Sequence, residues 1–350
     1  MKWMIYGANG YTGEMIAREA KARGLSPILA GRSVGKIAPL AEELGLNYCS
    51  FSLDDTAAVD RALAGVGLVL HCAGPFSQTS ASMIEGCLRN KAHYLDISGE
   101  ISVFEHAHTQ HQRATRADVV VCPGVGFDVI PTDCVALALK EALPDATHLT
   151  LGFQQPAVLS PGTAKTTIEF IGNGGRVRRH GKVVPVALGY APRRIDFGQG
   201  MTSAMTIPWG DIATAYFTTG IPNIKVYVPA STPEIIAAKA ANLIRPILRM
   251  TSVISALQRL VEKHVKGPDV AMRDRMPTYV WGEASNARGE KVTARIKTAN
   301  GYSLTITGSL AVVQYLLQNQ VAGGAYTPSL LMGSALVVGL PESGQMVITR

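Results

Sequence analysis

Apolar residues in the first part of the chain fall in short, nearly unbroken runs, such as Trp3-Met4-Ile5-Tyr6, Pro27-Ile28-Leu29-Ala30 and Gly67-Leu68-Val69-Leu70. Between these runs the apolar positions return at helical spacing. Short apolar runs fit strands covered on both faces, and the intervening period fits helices. The pattern predicts strands near 2–6, 26–30, 46–51, 67–71, 93–97 and 118–122. Strands and helices that alternate in this way predict an α/β fold with a parallel, doubly wound sheet.

After Gly126 the pattern changes to a helix from about Thr132 to Ala142, followed by strands rich in Thr, Val and Tyr and broken by Pro and Gly. These strands are expected near 147–154, 183–188, 201–207, 224–228, 278–285, 290–297 and 302–308, in a second, more antiparallel domain. Thr232 to Val265 reads as a long helical stretch that Pro246 should kink or split. Its Lys and Arg residues interrupt any span long enough for a bilayer; it could lie on a membrane surface, but covering a pocket or a subunit interface is the preferred role, which leaves a homodimer open. From Gln314 onward helix-forming composition returns, and Thr327-Pro328 is a good helix start. The expected domains are 1–130, 131–310 and a tail, 311–350, that packs back on the first.

The first strand runs directly into Gly7-Ala8-Asn9-Gly10-Tyr11-Thr12-Gly13 and then a helix-like stretch. This is the form of a turn that cradles a pyrophosphate, with Gly7 for the turn, Gly10 for close backbone approach and Gly13 for helix packing. Gly7, Asn9, Gly10, Tyr11, Thr12 and Gly13 are therefore candidate cofactor contacts. The second strand ends in Gly31-Arg32-Ser33, where a dinucleotide fold meets the adenosine ribose. An acidic residue there would repel a 2′-phosphate, whereas Arg32 and Ser33 can bind one, so the reading is NADP(H) rather than NAD. The competing reading makes Arg32 a surface loop residue.

The 350 residues suffice for two cores, and 47% hydrophobic with 17% charged composition is that of an ordinary globular protein. Five cysteines without paired spacing fit reduced thiols in the cytoplasm rather than a disulfide framework or a zinc site. No secretory signal is expected, because Met1 enters the first strand almost at once. The net charge of +7 comes without aromatic stacking motifs or a reading helix, which argues against nucleic acid. Its densest stretch, Arg176 to Lys182 with Arg193 and Arg194, reads as a solvated hairpin face or as a lure for a phosphate-bearing carrier.

Small residues at the end of the fourth strand, Cys72-Ala73-Gly74-Pro75-Phe76, are candidate contacts for the nicotinamide half, with Phe76 as a wall. His71-Cys72-Ala73-Gly74-Pro75-Phe76, His93-Tyr94-Leu95-Asp96-Ile97-Ser98-Gly99-Glu100 and Gly126-Phe127-Asp128-Val129-Ile130-Pro131-Thr132-Asp133 follow in order. With the first two turns, Gly267-Pro268-Asp269, Arg273, Gly301-Tyr302 and the segment Ala322 to Gly333, they resemble the saccharopine dehydrogenase-like family of NADP-dependent oxidoreductases. The resemblance runs over nearly the whole chain and is nearest the trans-acting enoyl reductases. It implies a Rossmann-type doubly wound sheet with an inserted mixed α/β second domain. It also implies reduction of a C=C or C=N bond of a small or carrier-bound substrate in an interdomain cleft. An NADP(H)-binding sensor without turnover is the alternative.

A proton source must accompany hydride transfer. Asp128 is the first candidate, with a helix cap as its other reading. Tyr94 and Asp96 could reach the same cleft, Asp96 could equally brace a loop, and Lys165 could face the cleft or lie on the surface. No tyrosine is followed four residues on by lysine, so the Tyr-Lys pair of short-chain dehydrogenases is absent. His106, His108 and His111 point in different directions on a helix, and no metal site is expected.

Overall fold

The computed structural model describes residues 1–155, 172, 174–248, 250, 253–256, 259 and 276–350. They form two units, Met1–Cys134 with Gly301–Pro341, and Val135–Asn300 with Glu342–Arg350.

The first unit is built on β1 (Trp3–Tyr6), β2 (Ile28–Gly31), β3 (Tyr48–Ser50), β4 (Leu68–His71), β5 (His93–Asp96) and β6 (Val120–Cys122), with the short β15 (Gly324–Ala325) added at one edge. All pairings are parallel, in the order β15-β6-β5-β4-β1-β2-β3. The chain winds outward from β1 through β2 and β3, then resumes on the other side of β1 with β4. Strand order therefore reverses between β1 and β4, which puts the switch-point crevice at their carboxyl ends. The connecting helices are α1 (Tyr11–Ala22), α2 (Val34–Leu44), α3 (Thr56–Leu63), α4 (Phe76–Asn90), α5 (Ile101–Thr109) and α6 (His111–Ala117). Met4, Tyr6, Val69, Tyr94 and Val121 point to one sheet face and pack with Val59 and Leu63 of α3 and Met83, Ile84 and Cys87 of α4. Period-two alternation sends Trp3 and Ile5 to the other face, and both are buried as well.

In the second unit, α7 (Ile130–Ala142) leads into a mixed sheet of nine strands. Its main order is β10 (Arg193–Asp196), β11 (Met201–Thr206), β12 (Asn223–Pro229), β7 (His148–Gln154), β13 (Thr278–Ser285), β14 (Lys291–Thr298) and β16 (Val347–Thr349). Only the β7 and β12 pair on that path is parallel. A hairpin of β8 (Gly175–Arg179) and β9 (Lys182–Val186) joins β12. Gly282 lets Val135 and Leu139 of α7 lie directly on the sheet, since a Cβ there would meet them at 2.6 and 2.7 Å. Helix α8 (Asp211–Thr219) lies between β11 and β12.

Two expectations need correction. Residues 302–308 are not a strand but the start of α10 (Gly301–Gln318). The β-branched Thr305, Ile306 and Thr307 mimic a strand, yet Leu304, Gly308, Val312 and Leu316 form a buried stripe at four-residue spacing, and that longer period prevails. The return to the first unit thus begins at Gly301, ahead of 311, while the last residues pair as β16 with β14 of the second unit. The long helical stretch is interrupted beside Pro246: α9 (Thr232–Leu248) carries the proline in its last turn, and Met250 is not helical. No helix among the described residues is long and apolar enough to cross a membrane.

Asp96, at the end of β5, is completely buried. Its carboxylate accepts from the Tyr94 hydroxyl at 2.7 Å, the Ser98 N–H at 2.9 Å and the Gly124 N–H at 2.8 Å, tying β5 to the loop after β6. Asp96→Ala strands all of these donors and should cost about 3 kcal/mol of stability in urea unfolding. A loss below about 0.5 kcal/mol, the scale of an ordinary surface change, would contradict this role.

Candidate functional site

The turn after β1 is shaped by what its glycines touch. Gly7 has φ +88°, and a Cβ there would come within 2.7 Å of the Ala73 N and 2.8 Å of the Cys72 carbonyl carbon. The ends of β1 and β4 therefore meet backbone to backbone. A Cβ on Gly13 would overlap the Gly7 carbonyl oxygen, so α1 starts directly on the turn. Gly10 precedes α1 as its N-cap, and no side chain caps that end. Backbone N–H groups of an uncapped first turn are suited to an anion.

A cleft of about 280 Å³ opens here, lined by Tyr6, Gly7, Asn9, Gly10, Gly31, Arg32, Ser33, Lys36, Cys72, Ala73 and Gly74. Three separate strand ends thus converge on one surface. Arg32 and Lys36 are exposed, and among the described residues neither takes part in an ion pair. Ser33 is the N-cap of α2, but its hydroxyl makes no capping hydrogen bond. Gly31-Arg32-Ser33-Val34-Gly35 also spells the Gly-x-Ser-x-Gly of a hydrolase elbow. Among the described residues, no histidine or carboxylate lines the cleft to activate the serine.

Of the expected cofactor contacts, the cleft brings together Gly7, Asn9, Gly10, Gly31, Arg32, Ser33, Cys72, Ala73 and Gly74. Tyr11 and Thr12 open α1, and the Tyr11 ring sits edge-on to Tyr302, 5.5 Å away. Gly13 is buried and serves packing rather than the cleft surface. Pro75 and Phe76 start α4, whose first N–H groups are taken by Glu100: Phe76 N–H at 2.9 Å and Ser77 N–H at 2.8 Å. The Glu100 N–H in turn donates to Ser98 Oγ at 3.0 Å. The segment from Tyr94 to Glu100 is therefore a brace. It fixes where Phe76 stands.

That brace corrects the expected reach of Tyr94, whose ring lies in the core with its hydroxyl committed to Asp96. Asp96 takes the loop-bracing role, and burial pushes its carboxyl up to about 6 against the pull of its hydrogen bonds. Asp128 is half-buried, with its carboxyl against Gly99, where a Cβ would meet Oδ2 at 2.6 Å. Loss of water pushes this carboxyl up to about 7. Lys165, Gly267 to Asp269 and Arg273 lie outside the described residues. Lys36, Ser98 and Glu100 escaped the sequence reading. The signal for Lys36 was its place in the first turn of the helix that follows Arg32.

The neighbouring Phe127 N–H donates to Thr305 Oγ1 at 3.0 Å, which holds the loop carrying Asp128 against α10. Residues 3–122 match the family model described as the saccharopine dehydrogenase NADP binding domain. Residues 3–122 of the first unit are thus similar to an NADP-binding domain. The saccharopine dehydrogenase-like oxidoreductase of Rattus norvegicus is 28% identical over 204 residues, 50% of this chain and 47% of that protein. The human protein of the same name gives the same identity and coverage. The chain thus spans about half the length of the curated relatives it matches. Apo saccharopine dehydrogenase (L-Glu forming) from Saccharomyces cerevisiae superposes over 100% of both chains with a TM-score of 0.66 at 11% identity, which establishes a shared fold. The structural likeness covers the second unit as well as the first.

In the second unit the basic stretch is largely engaged. Arg178 is buried, donates to the carbonyls of Ile212 and Gly181, and lies 4.2 Å over the Tyr216 ring. Arg179 meets the Tyr190 hydroxyl, and Arg193 pairs with Glu283 at 3.2 Å.

Burial of the Asp128 carboxyl makes stability depend on pH. The native state binds its proton more tightly than the unfolded chain, whose ordinary value is 3.8, so this group favours folding less as pH rises from about 4 to about 7. Asp128→Asn should therefore raise the melting temperature relative to the wild type more at pH 8 than at pH 5. Equal changes at both pH values would contradict the burial of this carboxyl.

Proposed function

We propose that the protein is an NADP(H)-dependent oxidoreductase that reduces a C=C or C=N bond of a small metabolite or a carrier-bound acyl group. The observation that carries this reading is the cleft at the switch point, where the glycine turn, Arg32 and Lys36, and the end of β4 share one surface. Arg32, Ser33 and Lys36 would hold the 2′-phosphate. Gly7, Gly10 and the first turn of α1 would hold the pyrophosphate, and Cys72 to Phe76 the nicotinamide half.

When bound, the cofactor supplies a hydride. The reduced bond then needs a proton, and a carboxyl with a pKa near neutrality is suited to give it. Asp128 fits that description, and its Oδ atoms lie beside Gly99, next in sequence to the Glu100 that fixes Phe76. We assign it the proton transfer to the atom adjacent to the one that receives hydride. The resemblance of the strand-end motifs to trans-acting enoyl reductases favours a C=C bond. Lys182 and Arg194, exposed in the second unit, suit the phosphate of a carrier arm. Free thiols at Cys49, Cys72, Cys87, Cys122 and Cys134 fit a reducing compartment such as the cytoplasm.

Arg32→Ala should weaken NADPH binding about tenfold while leaving NADH binding nearly unchanged, because a charge-assisted contact to the phosphate is lost. Equal losses for the two cofactors in a fluorescence titration would overturn the phosphate assignment. Incubation with a panel of enones and imines should consume NADPH, and Asp128→Asn should slow that consumption about a hundredfold. Tight NADPH binding without consumption across the panel would instead support a cofactor sensor.

A further inference from the structure

His71 ends β4 with its side chain completely buried, 5.5 Å from the Tyr6 ring and edge-on to Phe76 at 5.4 Å. Its Nε2 lies 2.9 Å from Oγ1 of Thr79, in the first turns of α4. The Thr79 hydroxyl has one proton, and it faces the carbonyl oxygens of Ala73 at 2.7 Å and Pro75 at 3.0 Å. With that proton directed to the carbonyls, the hydroxyl oxygen accepts from the imidazole. This assigns the tautomer: Nε2 carries the hydrogen and Nδ1 the lone pair.

Nδ1 is buried and, among the described residues, has no hydrogen-bond partner. A leucine or phenylalanine would fill the same space without an orphaned acceptor, so packing alone does not account for a histidine here. The donor at Nε2 does. Burial also pushes the imidazole down to about 3, which keeps it neutral and its Nε2–H in place throughout the neutral range.

Resting on the NADP reading above, we infer that His71 is a positioning residue for the nicotinamide half of the cofactor, acting through Thr79 on the Ala73 carbonyl. The relay fixes the path of the chain from Cys72 to Phe76. Cys72, Ala73 and Gly74 line the cleft, and Phe76 follows on the far side of the turn. Glu100 holds this segment from the α4 N–H groups, and His71 with Thr79 holds it from the carbonyls. The two anchors act on opposite polarities of the same stretch of backbone.

The test compares two probes on the full chain: NADPH, and adenosine 2′,5′-bisphosphate, which has the 2′-phosphate but no nicotinamide. Thr79→Val removes the hydroxyl while keeping shape, and should raise the Kd for NADPH about tenfold, the worth of roughly one hydrogen bond. The Kd for the bisphosphate should stay within about twofold, and Thr79→Ser, which keeps the hydroxyl, should restore NADPH binding. His71→Phe should reproduce the Thr79→Val pattern, and adding it to Thr79→Val should cause no further loss, because both remove one relay. If His71→Phe fails to fold, the two Thr79 variants decide alone. Parallel losses for both probes, an unchanged NADPH affinity, or absence of rescue by serine would overturn the inference. If the wild type binds the bisphosphate and NADPH not at all, the NADP reading falls, and the positioning role falls with it.

Discussion

The contact between Gly7 and the Cys72-Ala73 peptide is the constraint on which the first unit depends. Strands that reverse direction of winding leave a crevice, but a crevice becomes a cofactor site only if the backbone at its floor is bare enough to be approached. Here the floor is bare because two strand ends touch without intervening side chains, Gly7 at positive φ on one and Cys72 and Ala73 on the other. Gly13 then seats α1 on the Gly7 carbonyl, which brings the helix N-terminus to the same point. An added Cβ at Gly7 or Gly13 would push these elements apart.

Around that floor, the strand-end motifs are mainly bracing. Asp96 gathers Tyr94, Ser98 and Gly124; Ser98 supports Glu100; Glu100 caps α4 and so sets Phe76. Further along, Asp133 accepts from the Ser329 N–H at 2.9 Å, and Thr305 holds Phe127, so the returning segment of chain is fastened to the same loops. Polar side chains that look catalytic in a list are here spent on backbone groups that would otherwise be buried and unpaired. For Asp128, loss of water is the main influence on the carboxyl, which it pushes up to about 7.

The parallel sheet and the cofactor turn were legible because both are local in origin. Apolar runs mark strands buried on two faces, and glycines at fixed spacing mark a turn that no other residue can make. The place of Arg32 in the cleft was legible for the same reason, since it stands at the end of its own strand. What was not legible depended on distant neighbours. Tyr94 looked accessible at a strand end, and only the position of Asp96 and the core around it shows the ring turned inward. Residues 302–308 carry strand-like β-branching, and the buried stripe through Val312 and Leu316 reads as one helix only when the segment is followed past Gly308. The strand 347–349 has no pattern of its own, being exposed throughout and defined by pairing with β14.

The central claim is that the cofactor occupies the meeting point of three strand ends, and amide hydrogen exchange in the presence and absence of NADPH tests it directly. The account predicts slower exchange in peptides covering residues 7–14, 31–36 and 72–76, with little change in the sheet of the second unit. Saturation with NADPH that leaves those three segments unprotected, or protects a different region instead, would contradict it.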